Sequence, residues 1–337
     1  MKSLFWILII LPVVLQAQTM DEKLYGYRHF QFLYKGDTVN MLVKSKEGEE
    51  RKRKPVLLFC QGSLPVPLMI LYNEGGRKEV GNVFVFNSDL LTEKYHLAII
   101  GKPGIPLQAD RQVLSDNFTF KDSTGYFPRF YTAHNLLDYY VERNKEVIRF
   151  LRQQSWVSEE GLVIAGHSEG STIAAKVAVE TKAVSALIYS GGNPMGRIMT
   201  IIERNRALEK DSTDLTTGDM NYWQEVVNDP GGMDASNGDT HKATYQFSIP
   251  PLQYLEKLKI PVLVSYGSKD AVAPFDEYLR VEMIRQKKQN FSFLVYPGTE
   301  HNYFPVKADG TIDYDIFNWD KVAGDWKNWL LQLKKSK

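Results

Sequence analysis

The chain has 337 residues, 43% of them hydrophobic, and sets 41 Lys and Arg against 40 Asp and Glu. That length carries one large domain or two smaller ones, with apolar material enough for a substantial core. A near-zero balance lacks the basic excess or stripe of a nucleic-acid binder, so no nucleic-acid partner is expected.

At the start, Lys2 precedes twelve mostly apolar residues, 4–15, and then Gln16-Ala17-Gln18. Twelve residues fall short of the ~20 that a membrane span needs. A positive start, a short apolar middle and a small residue at Ala17 fit a secretory signal peptide over residues 1–17. Its removal takes Lys2 and no acid, leaving 40 basic and 40 acidic residues. The expected product is secreted or periplasmic, with no stable membrane anchor.

Residues 27–34 and 38–44, joined by Lys35-Gly36-Asp37, form a predicted antiparallel hairpin. The basic run Arg51 to Lys54 follows Glu47, Glu49 and Glu50 and reads as a solvated loop. Short continuous runs of Val, Ile and Leu then recur at residues 56–60, 97–100, 162–165, 184–189, 262–266 and 291–296. Such runs suit strands buried on both faces. Cys60, the only cysteine, has no intramolecular partner and sits among Leu57, Leu58 and Phe59, so a buried thiol is expected. Helical spacing marks residues 135–153, 275–288 and 318–333, the last placing Trp319, Val322, Trp326, Trp329 and Leu330 on one face. Strands alternating with helices imply an α/β fold, a mostly parallel central sheet with helices on both faces. Two stretches interrupt it: a polar one over residues 104–129, and an insertion over 191–251 with helix-like segments at 195–208 and 220–228.

The chemistry concentrates at Gly166-His167-Ser168-Glu169-Gly170, between the 162–165 strand and a helix-like run from Ser171. A G-x-S-x-G turn is too tight for larger flanking side chains, and it leaves the serine hydroxyl exposed where a nucleophile must stand. Glu169 is expected to begin the helix, where an acid suits the dipole. A serine needs a base, a group orienting that base, and donors for the oxyanion. Of six histidines, His301 follows the last predicted strand, at the same end of the sheet as Ser168. Asp270 follows the preceding strand, 31 residues earlier, one strand–helix–strand unit away. Asp276 is the alternative acid but is expected to cap the next helix. For the oxyanion, the candidate donors are the backbone N–H groups of Glu169 and Ser63, since Pro65 and Pro67 have none to give.

These residues resemble the α/β-hydrolase superfamily. The segment from Pro261 through Gly267, Asp270 and Pro274 is similar to the acid-bearing strand of its dienelactone-hydrolase-like and prolyl-oligopeptidase-like branches, and Tyr296 through His301 and Phe304 to their histidine loop. The resemblance implies a Ser–His–Asp hydrolase over residues 18–337, with a cap at about 191–251. Two departures stand out: Gln61 occupies the place of the His in many members' HG motif, and Ser168 that of the dienelactone hydrolases' cysteine. The expected activity is cleavage of carboxylic esters, the partner being a small-molecule ester or short acyl substrate. A peptidase acting on small peptides, or a non-catalytic binder on the same fold, are the alternatives. Acids scattered through the insertion form no paired-acid device for a peptide amino terminus. Phe118, Phe120, Tyr126, Phe127, Tyr222 and Trp223 are candidate acyl-site walls. With no phosphate-binding glycine loop and no zinc-type spacing, neither cofactor nor metal is expected.

Overall fold

The computed structural model describes residues 25–74, 77–81, 83–210, 213–235 and 239–335, so the expected signal segment lies outside them. The strands are β1 (Tyr27–Tyr34), β2 (Asp37–Lys44), β3 (Val56–Cys60), β4 (Met69–Glu74), β5 (Arg77–Gly81), β6 (His96–Ile100), β7 (Gln108–Asp110), β8 (Leu162–His167), β9 (Val184–Ser190), β10 (Val262–Gly267) and β11 (Phe291–Tyr296). Eight of them form one sheet in the order β1-β2-β6-β3-β8-β9-β10-β11, while β5-β4-β7 form a small second sheet. From β6 to β11 every neighbour in the large sheet is parallel, and β2 and β1 add an antiparallel hairpin at one edge.

Alternation along the central strands sorts side chains between two cores. In β3, Val56, Leu58 and Cys60 face one side, and Leu57 and Phe59 the other. The first side is covered by α3 (Leu137–Arg152) and α4 (Glu169–Glu180), whose Leu137, Tyr140, Val147, Ile148, Ile173 and Val177 pack onto it. Ahead of α3 lie α1 (Asp89–Thr92) and α2 (Arg129–His134). Downstream come α5 (Arg197–Arg206), α6 (Leu215–Asn228), α7 (His241–Ser248), α8 (Leu252–Leu255), α9 (Ala273–Arg285) and α10 (Trp319–Lys335). The tryptophan stripe of α10 covers the second side: Trp319, Trp326 and Trp329 are buried there against Phe86, Leu263 and Tyr296. Each such fully buried side chain contributes roughly 1.5–3 kcal/mol of transfer free energy. Helices therefore cover both faces of the sheet.

Because β3, β8, β9, β10 and β11 are parallel, the loops that follow them leave from one edge. Gln61, Ser168, Gly191, Asp270 and His301 all stand in those loops. The connection from β9 to β10 carries α5 to α8, and α5 reaches the same edge.

Candidate active site

Ser168 occupies the turn between β8 and α4 with φ 57° and ψ −126°, a left-handed conformation that costs a residue with a Cβ about 1–3 kcal/mol. The turn closes only because its flanks are glycines. A Cβ on Gly166 would lie 2.0 Å from the Gly170 carbonyl oxygen, and one on Gly170 would lie 2.1 Å from that of Cys60. Hydrogen bonds pin the turn: the Ser168 N–H donates to the Ser190 carbonyl at 2.9 Å, and the Ser171 hydroxyl to the Ser168 carbonyl at 2.6 Å.

His301 and Asp270 meet at this edge. His301 Nδ1 lies 2.7 Å from Asp270 Oδ2, and the other carboxylate oxygen accepts from the Val272 N–H at 3.2 Å. Nε2 of His301 is thereby left for a partner on the cavity side. Ser168 and His301 line the same two cavities, with no hydrogen bond joining their side chains in this structure. Ser63 lines both as well. Its loop runs close to the serine, since a Cβ on Gly62 would lie 3.7 Å from that of Ser168. The loop is tied from below and beside: the Gln61 amide donates to the Ile100 carbonyl at 2.6 Å, and the Tyr131 hydroxyl to the Ser63 carbonyl at 2.8 Å. Thus Gln61 braces the loop against β6.

Under His301 lies a buried polar layer across three strand ends. His167 Nδ1 bonds to the Ser190 hydroxyl at 3.0 Å, which lies 2.5 Å from the Tyr303 hydroxyl. Tyr303 also donates to the Ser265 carbonyl at 3.1 Å. The His167 ring stands 4.9 Å from that of His301 and edge-on to Trp319. Burial, reinforced by the neighbouring His301, holds its pKa well below the ordinary histidine value. None of the remaining histidines lines either cavity that holds Ser168: His29 is in β1, His96 in β6, His134 ends α2 and His241 begins α7.

Two expectations need correction, and a third, for Glu169, needs an addition. Asp276 does not cap α9; it sits in the first turn, fully buried, with neither carboxylate oxygen hydrogen-bonded. Burial first, then the nearby Asp270, push its pKa well above the usual carboxylate range. Glu169 begins α4 as the acid of its first turn, as expected, and its carboxylate also turns inward. It pairs with Lys102 at 3.0 Å and with Arg197, which also pairs with Asp239 at 2.6 Å. Burial works to raise the Glu169 pKa, yet the two flanking cations hold it below its ordinary value. The six aromatic residues proposed as acyl-site walls, in turn, do not line either cavity that holds Ser168. Phe59, Val66, Val83, Val85 and Ile99 line one, and Phe247 the other.

Lys102, Arg197, Arg204, Asp239 and Tyr303 at the site escaped the sequence reading. A signal existed for two of them, because Arg197 and Arg204 are seven residues apart on one predicted helix. Cys60 is buried as expected, and burial pushes its thiol up to about 12.

The sheet order and the loops at this edge define an α/β-hydrolase. Among solved structures the chain resembles Est1E from Butyrivibrio proteoclasticus, at 17% identity and TM-score 0.53, covering 90% of this chain and 98% of that one. A thermostable carboxyl esterase from Bacillus coagulans matches at 14% identity and TM-score 0.54, with 91% and 98% covered. The acylaminoacyl peptidase from Pyrococcus horikoshii matches at 15% and 0.51, with 82% of this chain and 37% of that chain covered. Identities this low establish the fold alone. No curated protein sequence matches the chain. The family model described as BAAT / acyl-CoA thioester hydrolase C terminal matches residues 137–311, just over half the chain. The chain belongs to that family, a branch that the sequence reading did not name.

Proposed function

We propose that the protein is a serine hydrolase that cleaves carboxylic esters through an acyl-enzyme. The observation that carries this reading is the 2.7 Å contact of His301 with Asp270 at the cavity that Ser168 faces. In it, Ser168 Oγ bonds to the ester carbonyl carbon as its proton passes to His301 Nε2. The carbonyl oxygen becomes an oxyanion, received by the backbone N–H groups of Glu169 and Ser63. Collapse breaks the bond to the alcohol oxygen, which takes the proton from His301. Water repeats the sequence on the acyl-enzyme and frees the acid. Asp270 fixes the imidazole tautomer and stabilises the imidazolium formed at each step. Family membership favours a second reading, thioester cleavage by the same residues, in which the leaving thiolate asks less of the general acid.

Fluorophosphonate labelling of the purified protein tests the serine. Ser168 should be the labelled residue, and Ser168→Ala should lose labelling and roughly 10⁴- to 10⁶-fold in kcat. A folded protein that stays unlabelled while turning over esters would remove Ser168 from the reaction. Matched p-nitrophenyl esters, thioesters and aminoacyl p-nitroanilides then rank the leaving groups; anilide rates within tenfold of the best ester point to a peptidase. Export is part of the proposal, and the N-terminus of the mature protein, expected at Gln18, checks it.

A further inference from the structure

Two cavities meet at Ser168 and His301, and they differ in the residues that line them. One, of about 240 Å³, mixes Asn193, Arg197 and Asp239 with the apolar Ile201, Phe247 and Val272. The other, of about 380 Å³, is walled by Phe59, Val66, Val83, Val85 and Ile99, and so suits the bulkier hydrocarbon part of a ligand. Arg204 lines both, at the place where they join. Helical geometry puts it there: residues 197, 200, 201 and 204 of α5 share one face and all line the smaller cavity.

Charge separates the two arginines. Arg197 is held by Glu169 and Asp239, and Glu169 also pairs with Lys102. Two cations and two anions thus cancel within that group. Asp270 is turned toward His301. Glu203, the chain neighbour of Arg204, pairs instead with Arg206 at 3.4 Å. Among the described residues no carboxylate lies within ion-pair distance of Arg204. Arg204, itself exposed to solvent, is therefore the cation without an ion-pair partner that lines both cavities holding Ser168 and His301.

We propose that the substrate is an amphipathic ester bearing a carboxylate, with the carboxylate held by Arg204 and the hydrocarbon in the apolar cavity. This rests on the reading of Ser168 as nucleophile. A guanidinium matches a carboxylate with two parallel N–H donors, which fixes the orientation of the ester as well as its affinity. The carboxylate can belong to the acyl part or to the alcohol part, and the test separates them.

The test compares kcat/KM within two pairs of esters. On the acyl side the pair is p-nitrophenyl hexanoate and mono-p-nitrophenyl adipate; on the alcohol side, methyl 4-hexanoyloxybenzoate and 4-hexanoyloxybenzoate. The anionic member of one pair should be favoured, and its ratio to the neutral member should fall roughly tenfold in Arg204→Gln. Arg204→Lys should recover part of that ratio, and rising salt should erode it in the wild type. Fluorophosphonate labelling of each variant reports that the site is intact. If wild type cleaves the neutral esters, but Arg204→Gln leaves both ratios unchanged, this inference falls and the serine-hydrolase reading stands. If wild type is neither labelled nor active on any of the four, both fall together.

Discussion

Asp276 is a carboxyl group that the fold keeps from charging. It lies fully buried in the first turn of α9, its oxygens have no hydrogen-bond partner among the described residues, and Asp270 stands nearby. A carboxyl whose folded-state pKa is raised stabilises the fold fully below its unfolded value, near 4, and loses that contribution as pH rises. Replacing it with the isosteric neutral amide, Asp276→Asn, should therefore gain stability relative to wild type as pH increases from about 4 to 7. The gain should exceed ~1 kcal/mol, since one pKa unit corresponds to about 1.4 kcal/mol. Urea unfolding at pH 4, 5.5 and 7 measures it; parallel curves for the two proteins would mean that Asp276 finds a partner that keeps it ionised. At this scale the sequence shows residue type and spacing but not burial. Ser168, Asp270 and His301 are legible because each follows an apolar run, whereas Asp276 near a helix start looks like any capping acid. The inward turn of Glu169 depends on Lys102 and Arg197, 67 and 28 residues away, and nothing local reveals it.

At the scale of elements, one side chain of the histidine loop reaches the ends of both β9 and β10. Tyr303 holds a left-handed conformation, φ 65°, unusual for an aromatic residue, and its hydroxyl bonds to Ser190 and to the Ser265 carbonyl. Removing that hydroxyl deletes its buried hydrogen bonds, while Ser190 keeps its bond to His167 and the Ser265 carbonyl its bond from the Gly191 N–H, so the cost is roughly 0.5–1.5 kcal/mol. Tyr303→Phe should thus lower the unfolding free energy by about that amount and loosen the loop that carries His301. Under the proposed function, kcat should fall about tenfold with KM little changed, because misplacing a reacting group weakens chemistry rather than binding. An unchanged kcat in a destabilised variant would restrict Tyr303 to a structural role. The large-sheet strands and the long helices were legible from apolar runs and helical spacing. In the small sheet β7 was not: it has three residues in a mostly exposed pattern, which gives no periodicity to read, whereas β4 opens on an apolar run with Met69 and Ile70 buried. Helix α7 was missed for a related reason, as Thr244 and Ser248 occupy buried positions that a hydrophobic pattern would assign to apolar residues.

Across the whole molecule, two histidines are buried in their neutral form. His96 bonds to the Ser45 hydroxyl at 2.7 Å and to the Lys52 carbonyl at 2.9 Å, and burial lowers its pKa to about 4. His167 is likewise held low by burial and by His301. Groups with depressed folded-state values contribute stability that is present above the unfolded pKa, near 6.5, and is lost as pH falls through the folded value. Thermal and urea midpoints should therefore fall between about pH 6.5 and 4, and His96→Gln should flatten part of that slope. An equal slope in both proteins would place the acid sensitivity elsewhere. The covering of the sheet has a consequence during biogenesis. Leu263, Phe86 and Tyr296 wait for Trp319, Trp326 and Trp329 of α10, the last element described. One side of the sheet thus stays greasy until more than three hundred residues have been synthesised. Such a nascent chain presents a long-lived surface for chaperones or for aggregation.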